Sequence, residues 1–313
     1  MLGVTQDKGA EYRHVLVTGA TGFLGEHLVR FLTRQPRLKI WGVSRHGGWI
    51  DTIRIDPVRL ESAQELSGWR RDKPALDAVF HLAAHVPEAF DAAEVECSLL
   101  ANVSMTNNVL NLAAADKAAV VYASSGSVYG LCSKIPFQED MQPHPNNLYS
   151  LAKYVGEHLC NIMHSRHDLP TVALRLPAPY GPGQKARTVI NRFLQAAIAS
   201  RDLVLYGTGE RTQDFIYAGD VVEAMWLGYQ RRAVGVYNIA SGRPISMRAL
   251  AAMVISLLPG TGSRIVTSDK PDPQENYRGE YAVDKAEKEL GFHPTVSLKD
   301  GLRACLASQA GQG

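Results

Sequence analysis

The chain carries almost no charge imbalance. Its 33 lysines and arginines stand against 31 aspartates and glutamates in 313 residues, a net +2 with histidine neutral. That removes the electrostatic reason to expect nucleic acid or an anionic membrane as a partner. Long apolar runs are missing too: the best, Ala249 to Leu258, falls well short of the roughly 20 residues a spanning helix needs, so no membrane segment is expected. Cysteine is scarce, and Cys97, Cys132, Cys160 and Cys305 show no pair spacing. Neither a disulfide framework nor a thiolate metal site is expected, and the four read as reduced, mostly buried thiols. The ten histidines offer no His-x-x-x-His pair on a helical stretch and no cysteine-pair companion, so the expected metal site is none. Nothing repeats at a fixed period and nothing is low in complexity. Met1 to Tyr12 is polar without an apolar core, so no secretory signal is expected there, and a cytoplasmic location follows as an expectation.

What is present is the composition of a globular protein, 45% hydrophobic and 20% charged, with enough length for two fused lobes. Short apolar runs at His14 to Val17, Leu38 to Ser44, Thr52 to Asp56, Ala78 to Leu82, Ala118 to Ala123 and Thr171 to Leu176 read as strands. They alternate with helix-compatible stretches at Phe23 to Arg34, Ala92 to Ala115 and Tyr149 to Ser165. This alternation predicts an α/β fold, a doubly wound parallel sheet with helices on both faces. Beyond Tyr180 glycine and proline become frequent and the strands shorten: Leu203 to Tyr206, Asp214 to Tyr217 and Val236 to Ala240. We therefore expect residues 1–177 to carry the doubly wound sheet, and residues 178–313 to form a smaller α+β lobe partly interleaved with it and covering its carboxyl edge, where open α/β sheets bind ligands. Ser308 to Gly313 should be a frayed tail.

The stretch Val15-Leu16-Val17-Thr18-Gly19-Ala20-Thr21-Gly22-Phe23-Leu24-Gly25 passes from strand to helix through three glycines spaced three apart. One glycine lets the chain turn sharply, one admits a pyrophosphate against bare backbone, and one lets helix and strand pack closely. The helix start would aim free N–H groups at the pyrophosphate. Glycines that merely turn the chain remain the plainer alternative.

A second constellation is Tyr149-Ser150-Leu151-Ala152-Lys153, with Ser124-Ser125-Gly126-Ser127 ending a strand. On a helix Tyr149 and Lys153 share a face, so an ammonium can sit near a phenol. A free phenol, with a pKa of ~10, is a poor base at neutral pH, and a nearby cation favours phenolate. That suits general acid–base work on an alcohol–ketone pair, with Ser125 holding the same oxygen. An amphipathic surface pair is the alternative.

Several motifs in order then resemble one family, the extended short-chain dehydrogenase/reductases. They are Thr18-Gly19-x-x-Gly22-x-x-Gly25, His81-Leu82-Ala83-Ala84, Asn102, Ser124-Ser125-x-x-Val128-Tyr129-Gly130 and Tyr149-x-x-x-Lys153. Leu174-Arg175-Leu176 and Tyr180-Gly181-Pro182-Gly183 follow, then Tyr206-Gly207-x-Gly209-x-Arg211-x-x-Asp214-Phe215 and Gly219-Asp220-Val221. The likeness runs from His14 to about Pro294 and points to the nucleotide-sugar epimerase, dehydratase and reductase branch. It implies Ser125, Tyr149 and Lys153 as catalytic residues. Cofactor contacts would come from Gly19, Gly22, Phe23, Leu24 and Gly25, from Ser44 and Arg45, from Asp56, from Leu82, Ala83 and Ala84, and again from Tyr149 and Lys153. Arg211, Arg278 and Ser125 would bind a nucleotide-sugar substrate. For the two arginines a solvated surface role is the alternative, and for Asp56 a carboxylate that caps a turn. A homodimer is expected, built on Ala92 to Ala115 and Tyr149 to Ser165 as a four-helix interface.

Three departures from the family pattern shape the expected function. Where NAD-preferring members carry an acid, this chain has Val43-Ser44-Arg45, which suits a 2′-phosphate, so NADP is favoured and NAD is the other possibility. Where dehydratases carry an Asp-Glu pair, it has Gly126 and Ser127, so a 4,6-dehydratase is not expected. Ala178 replaces an asparagine that contacts substrate phosphates. The expected activity is a 4-ketosugar reductase. A nucleotide-sugar 4-epimerase with tightly bound NAD is the alternative, and a non-catalytic dinucleotide-binding regulatory protein is the third reading.

Overall fold

Apolar runs and amphipathic segments alternate here as a parallel sheet covered on both faces. The structure is a computed structural model that describes residues 12–86, 92–132, 134–186 and 188–310. In chain order come β1 (Arg13–Thr18), α1 (Phe23–Leu32), β2 (Leu38–Ser44), β3 (Gly48–Ile50), β4 (Ile53–Pro57), α2 (Ala63–Arg70), β5 (Ala78–His81), α3 (Ala92–Asp116), β6 (Ala119–Ser125), α4 (Leu148–His167) and β7 (Thr171–Leu176). Then follow β8 (Ala178–Tyr180), α5 (Val189–Ile198), β9 (Leu203–Leu205), β10 (Thr212–Gln213), β11 (Phe215–Tyr217), α6 (Ala218–Gln230), β12 (Gly235–Asn238), β13 (Ile245–Ser246), α7 (Met247–Ser256), β14 (Ile265–Thr267) and α8 (Leu298–Ala310).

The main sheet has eight strands in the order β12-β7-β6-β5-β1-β2-β4-β3. Every neighbouring pair is parallel except β3 and β4. Strands buried on both faces need no polar alternation, which is why Val15, Leu16 and Val17 are all fully buried. Successive side chains feed opposite layers. Val15 and Val17 pack with Leu28 and Leu32 of α1 and Val221 and Met225 of α6. Leu16 packs with Leu66 of α2, Val109 of α3 and Cys160 of α4. Helices thus cover both faces, the doubly wound arrangement. A separate apolar cluster joins α5, α7, α8 and β9 through Phe193, Leu194, Leu203, Leu250 and Leu302.

Several details differ from expectation. The strand expected at Val236 to Ala240 is Gly235–Asn238 and joins the main sheet beside β7, pairing Tyr237 with Leu174. A short antiparallel β3 stands between the strands expected at Leu38 to Ser44 and Thr52 to Asp56, where no strand was expected. Ser308 to Ala310 are the helical end of α8 instead of a frayed tail, and the rest of that expected tail lies outside the described residues. Met1 to Glu11 lie outside them as well. Cys160 and Cys305 are buried, but Cys132 is half-buried and Cys97 exposed.

Candidate active site

The strand order reverses between β1 and β5, and in open α/β sheets the crevice at that reversal, outside the carboxyl ends, is where ligands bind. Gly19 follows β1 with φ +66°, and a β-carbon there would lie 2.8 Å from Cα of Ala83. The β1–α1 turn therefore touches the segment after β5, and only glycine permits it. A β-carbon on Gly25 would lie 2.7 Å from the Ala20 carbonyl oxygen, so α1 rests directly on the turn. Gly22 caps α1 without a side-chain hydrogen bond. The first-turn N–H groups of Phe23, Leu24 and Gly25 are consequently left for an anion, and the turn fits a pyrophosphate.

The floor of the crevice is tied by a buried relay. Thr106 Oγ1 donates to the Asn102 carbonyl (2.9 Å), so it must accept from His81 Nε2 (3.2 Å). His81 Nδ1 then accepts from Thr18 Oγ1 (2.8 Å), which in turn accepts the Ala83 N–H (3.2 Å). Full burial, with Lys153 adding to it, depresses the imidazole pKa to about 3. Asn102 clamps the next residues with both ends of its amide, accepting from His85 N (2.7 Å) and donating to His85 O (2.8 Å). Between these ties lie Leu82 and Ala83, half-buried, and Ala84, exposed.

Ser125 ends β6, half-buried, in hydroxyl contact with Ser127 (2.8 Å), which meets Ser150 Oγ (2.9 Å) on the first turn of α4. Asn147 caps α4 by accepting from Ser150 N (2.9 Å). Ser125 and Tyr149 are thereby carried by a strand end and a helix start laced together by serine hydroxyls. Lys153, one turn on, is 4% exposed and donates to the Ala123 carbonyl (2.7 Å), with Nζ 5.8 Å from the Tyr149 ring centre. Burial dominates both groups, pushing the Tyr149 phenol up to about 12 and the Lys153 ammonium down to about 8. The expected lowering of the phenol by its cationic neighbour is outweighed here by desolvation.

One turn further, Glu157 forms a bidentate ion pair with Arg175 of β7 (2.8 and 3.0 Å) and accepts from Ser124 Oγ (2.5 Å). Both charged side chains are at most 4% exposed. The pair locks α4 to β6 and β7 behind Ser125. A charged residue inside an apolar strand requires a buried partner, and Arg175 in Leu174-Arg175-Leu176 was the signal for it.

The expected substrate arginines are brought together. Thr212 N donates to the Tyr277 carbonyl (3.3 Å) and Gly279 N to the Thr212 carbonyl (3.1 Å), so Arg211 and Arg278 ride on paired segments. Arg211 is half-buried and meets Asp272 (2.8 Å), and Arg278 donates to the carbonyls of Glu275 and Tyr277. Asp56 accepts from Trp69 Nε1 (2.9 Å) and faces Arg54 (3.2 Å), so its carboxylate braces α2 against β4. Ser44 is buried, and its hydroxyl has no hydrogen-bond partner among the described residues. Arg45 lies exposed beside it. With the serine oxygen closed off from the surface, only Arg45 of the two side chains is placed to meet a 2′-phosphate. Among the described residues no three His, Cys, Asp or Glu side chains converge as a metal would require, and no helix is long and apolar enough to cross a membrane.

Residue 126 is enclosed in a way the sequence did not signal. A β-carbon on Gly126 would lie 2.8 Å from Tyr281 Cζ and nearer still to its hydroxyl oxygen. Tyr281, far along the chain, thus fills the space next to Ser125.

Comparison with known proteins agrees with this geometry. The model of the NAD-dependent epimerase/dehydratase family matches residues 15–240. A dTDP-glucose 4,6-dehydratase of Streptomyces griseus is 31% identical over 310 residues, covering 94% of this chain and 93% of the relative. The UDP-glucuronic acid 4-epimerase of Bacillus cereus, solved with UDP-glucuronic acid and NAD, superposes with a TM-score of 0.82 at 26% identity, over 96% of this chain and 100% of that one. The UDP-glucose 4-epimerase of Thermotoga maritima, solved with UDP-glucose, gives a TM-score of 0.88 over 96% and 99% of the two chains, a likeness of fold at 24% identity.

Proposed function

The chain belongs to the NAD-dependent epimerase/dehydratase family and is an enzyme of that type, and from this premise we propose that it is a nucleotide-sugar 4-epimerase working on tightly held NAD. The observation that carries the choice within the family is the corner at Gly126. An aspartate there, as the dehydratase pattern requires, would collide with Tyr281 at its first side-chain atom. Elimination of water thus lacks its acid, although a dehydratase is among the relatives. The 4-ketosugar reductase was expected from Ser44 and Arg45 together, and burial of the serine hydroxyl weakens that reason, while a 4-epimerase is among the structural neighbours.

In this reading the Rossmann portion, residues 1–177, holds the dinucleotide at Gly19, Gly22, Gly25 and the segment Leu82 to Ala84. The portion 178–313 holds the nucleotide, with Arg211 and Arg278 on the diphosphate, since guanidinium forks suit phosphate oxygens. Bound NAD would supply acceptance and return of hydride at the sugar's C4. Tyr149 takes the proton from the 4-hydroxyl and returns it to the keto oxygen, Ser125 holds that oxygen by hydrogen bond, and Lys153 steadies the phenolate while it lasts. Burial raises the phenol to about 12, and a protonated phenol cannot accept a proton, so Tyr149 must lose its own proton to solvent before the sugar is oxidised; Lys153 is the cation beside it that favours the phenolate.

The test needs no added reductant. The purified protein is denatured and its released dinucleotide weighed by mass spectrometry, while UDP-glucose, dTDP-glucose and GDP-mannose are followed by NMR for inversion at C4. Co-purified NAD with inversion is the expected result, with turnover falling ~10²–10⁴-fold in Tyr149→Phe. Inversion of none of the three, with stoichiometric NADPH oxidation by a 4-ketosugar, would return the reductase.

A further inference from the structure

The segment that carries Arg278 also carries Tyr277 and Tyr281. Its backbone is clipped around Tyr281: Phe137 N donates to the Glu280 carbonyl (2.8 Å) and Ala282 N to the Phe137 carbonyl (2.9 Å). The Tyr281 ring is 4% exposed and packs edge-on against Phe137 (5.2 Å between centres) and Tyr129 (6.0 Å). With backbone and ring both held, the hydroxyl has one place to go. It lies over the backbone of Gly126, within 2.8 Å of the Tyr277 hydroxyl. At its other end, Tyr277 offers its carbonyl to Arg278 Nη1 (3.1 Å) and to Thr212 N (3.3 Å), next to Arg211. Two phenols thus run from the paired arginines to the residue directly after Ser125.

Resting on the function proposed above, we infer that Tyr281, held by Tyr277, is a positioning residue. It braces the Ser125–Gly126–Ser127 turn and couples capture of the diphosphate by Arg211 and Arg278 to the aim of the Ser125 hydroxyl. Glycine at 126 is the complement of that tyrosine: the turn can be supported from this side only where no side chain intervenes. Ser127, which bonds to Ser125 through its hydroxyl and its backbone N–H, passes the constraint to the catalytic oxygen. The hydroxyl acts through Ser125 and touches no reacting atom, so its loss belongs in turnover, not in substrate affinity.

The experiment is a double-mutant cycle on the full chain, using whichever of UDP-glucose, dTDP-glucose and GDP-mannose the unmodified enzyme inverts. Tyr281→Phe keeps the ring and removes the oxygen. We expect kcat to fall about five- to tenfold with KM unchanged, while loss of the buried bond to Tyr277 lowers the thermal midpoint by only a few degrees. In a Ser125→Ala background the same substitution should cost nothing further. Unchanged kcat in Tyr281→Phe, or an equal loss with and without Ser125, overturns the inference. If Tyr281→Phe does not fold, Tyr277→Phe, which leaves the Tyr281 hydroxyl in place without its partner, is carried through the same cycle under the same criteria. Failure of the underlying function would look different: the unmodified enzyme would invert none of the three sugars, and the cycle is then run on its NADPH-dependent reduction of a 4-ketosugar under the same criteria.

Discussion

Acid should weaken this fold through one histidine more than through its exposed neighbours. His81 is fully buried at the end of β5, and its neutral tautomer is dictated by its partners: Nε2 donates to Thr106 and Nδ1 accepts from Thr18. A second proton would set two donors against each other at Thr18 and break the tie between the end of β1 and Ala83. The imidazole pKa is about 3 in the fold against 6.5 in the unfolded chain. The unfolded chain therefore binds more protons throughout that window, and stability rises with pH across it. Equivalently, stability present above 6.5 is lost as pH falls toward 3. At about pH 4.5 the unfolded imidazole is largely protonated and the folded one is still neutral, so the loss amounts to roughly 3 kcal/mol. The comparison is with His81→Gln, whose amide can accept from Thr18 and donate to Thr106 but does not titrate. Urea denaturation of both proteins between about pH 7 and 4.5 cancels the carboxylates they share. The gap between them should move by roughly 3 kcal/mol in the variant's favour on acidification. Parallel stability curves would refute the reasoning.

Arg45→Ala should leave NADP affinity, like that of NAD, nearly unchanged in calorimetric titration, because the Ser44 hydroxyl that would complete a 2′-phosphate site is buried. A loss of about 1.5–3 kcal/mol confined to NADP, in a protein that prefers it, would restore the NADP reading. The expected four-helix homodimer is a proposal that the exposed apolar side chains support: Leu100 on α3 is 59% exposed and Ile162 on α4 is 43% exposed. Light scattering at micromolar concentration should give twice the chain mass, and Leu100→Glu with Ile162→Glu should halve it. A monomer mass for the unmodified protein would dispose of the dimer.

The readable parts of this molecule were those written locally. The glycines at 19, 22 and 25 sit within seven residues and each answers to a backbone contact. Apolar runs such as Val15 to Val17 declare a strand buried on both faces, and Tyr149 with Lys153 declares a helix face. Harder to read were relations between distant segments. Ser44 was judged by its side-chain chemistry beside Arg45, but its usefulness depended on whether the hydroxyl reached the surface, and the packing at the end of β2 closes it in. Strand β12 reads as one more short strand after Tyr180, and only its parallel register with β7 returns it to the main sheet. Glu157 and Arg175 are separated by 18 residues, yet neither could be buried without the other.

Gly126 is the sharpest instance. From the sequence it is a missing acid, the reason a 4,6-dehydratase was not expected. In the fold it is occupied space, since Tyr281, 155 positions later, stands where that acid would project. A glycine recorded as a loss and a tyrosine with no motif to mark it become one feature once both are seen in contact. In the proposed epimerase reading the difference from a dehydratase resides in the pair: restoring Asp at 126 alone should not create elimination activity, because the tyrosine would have to leave first.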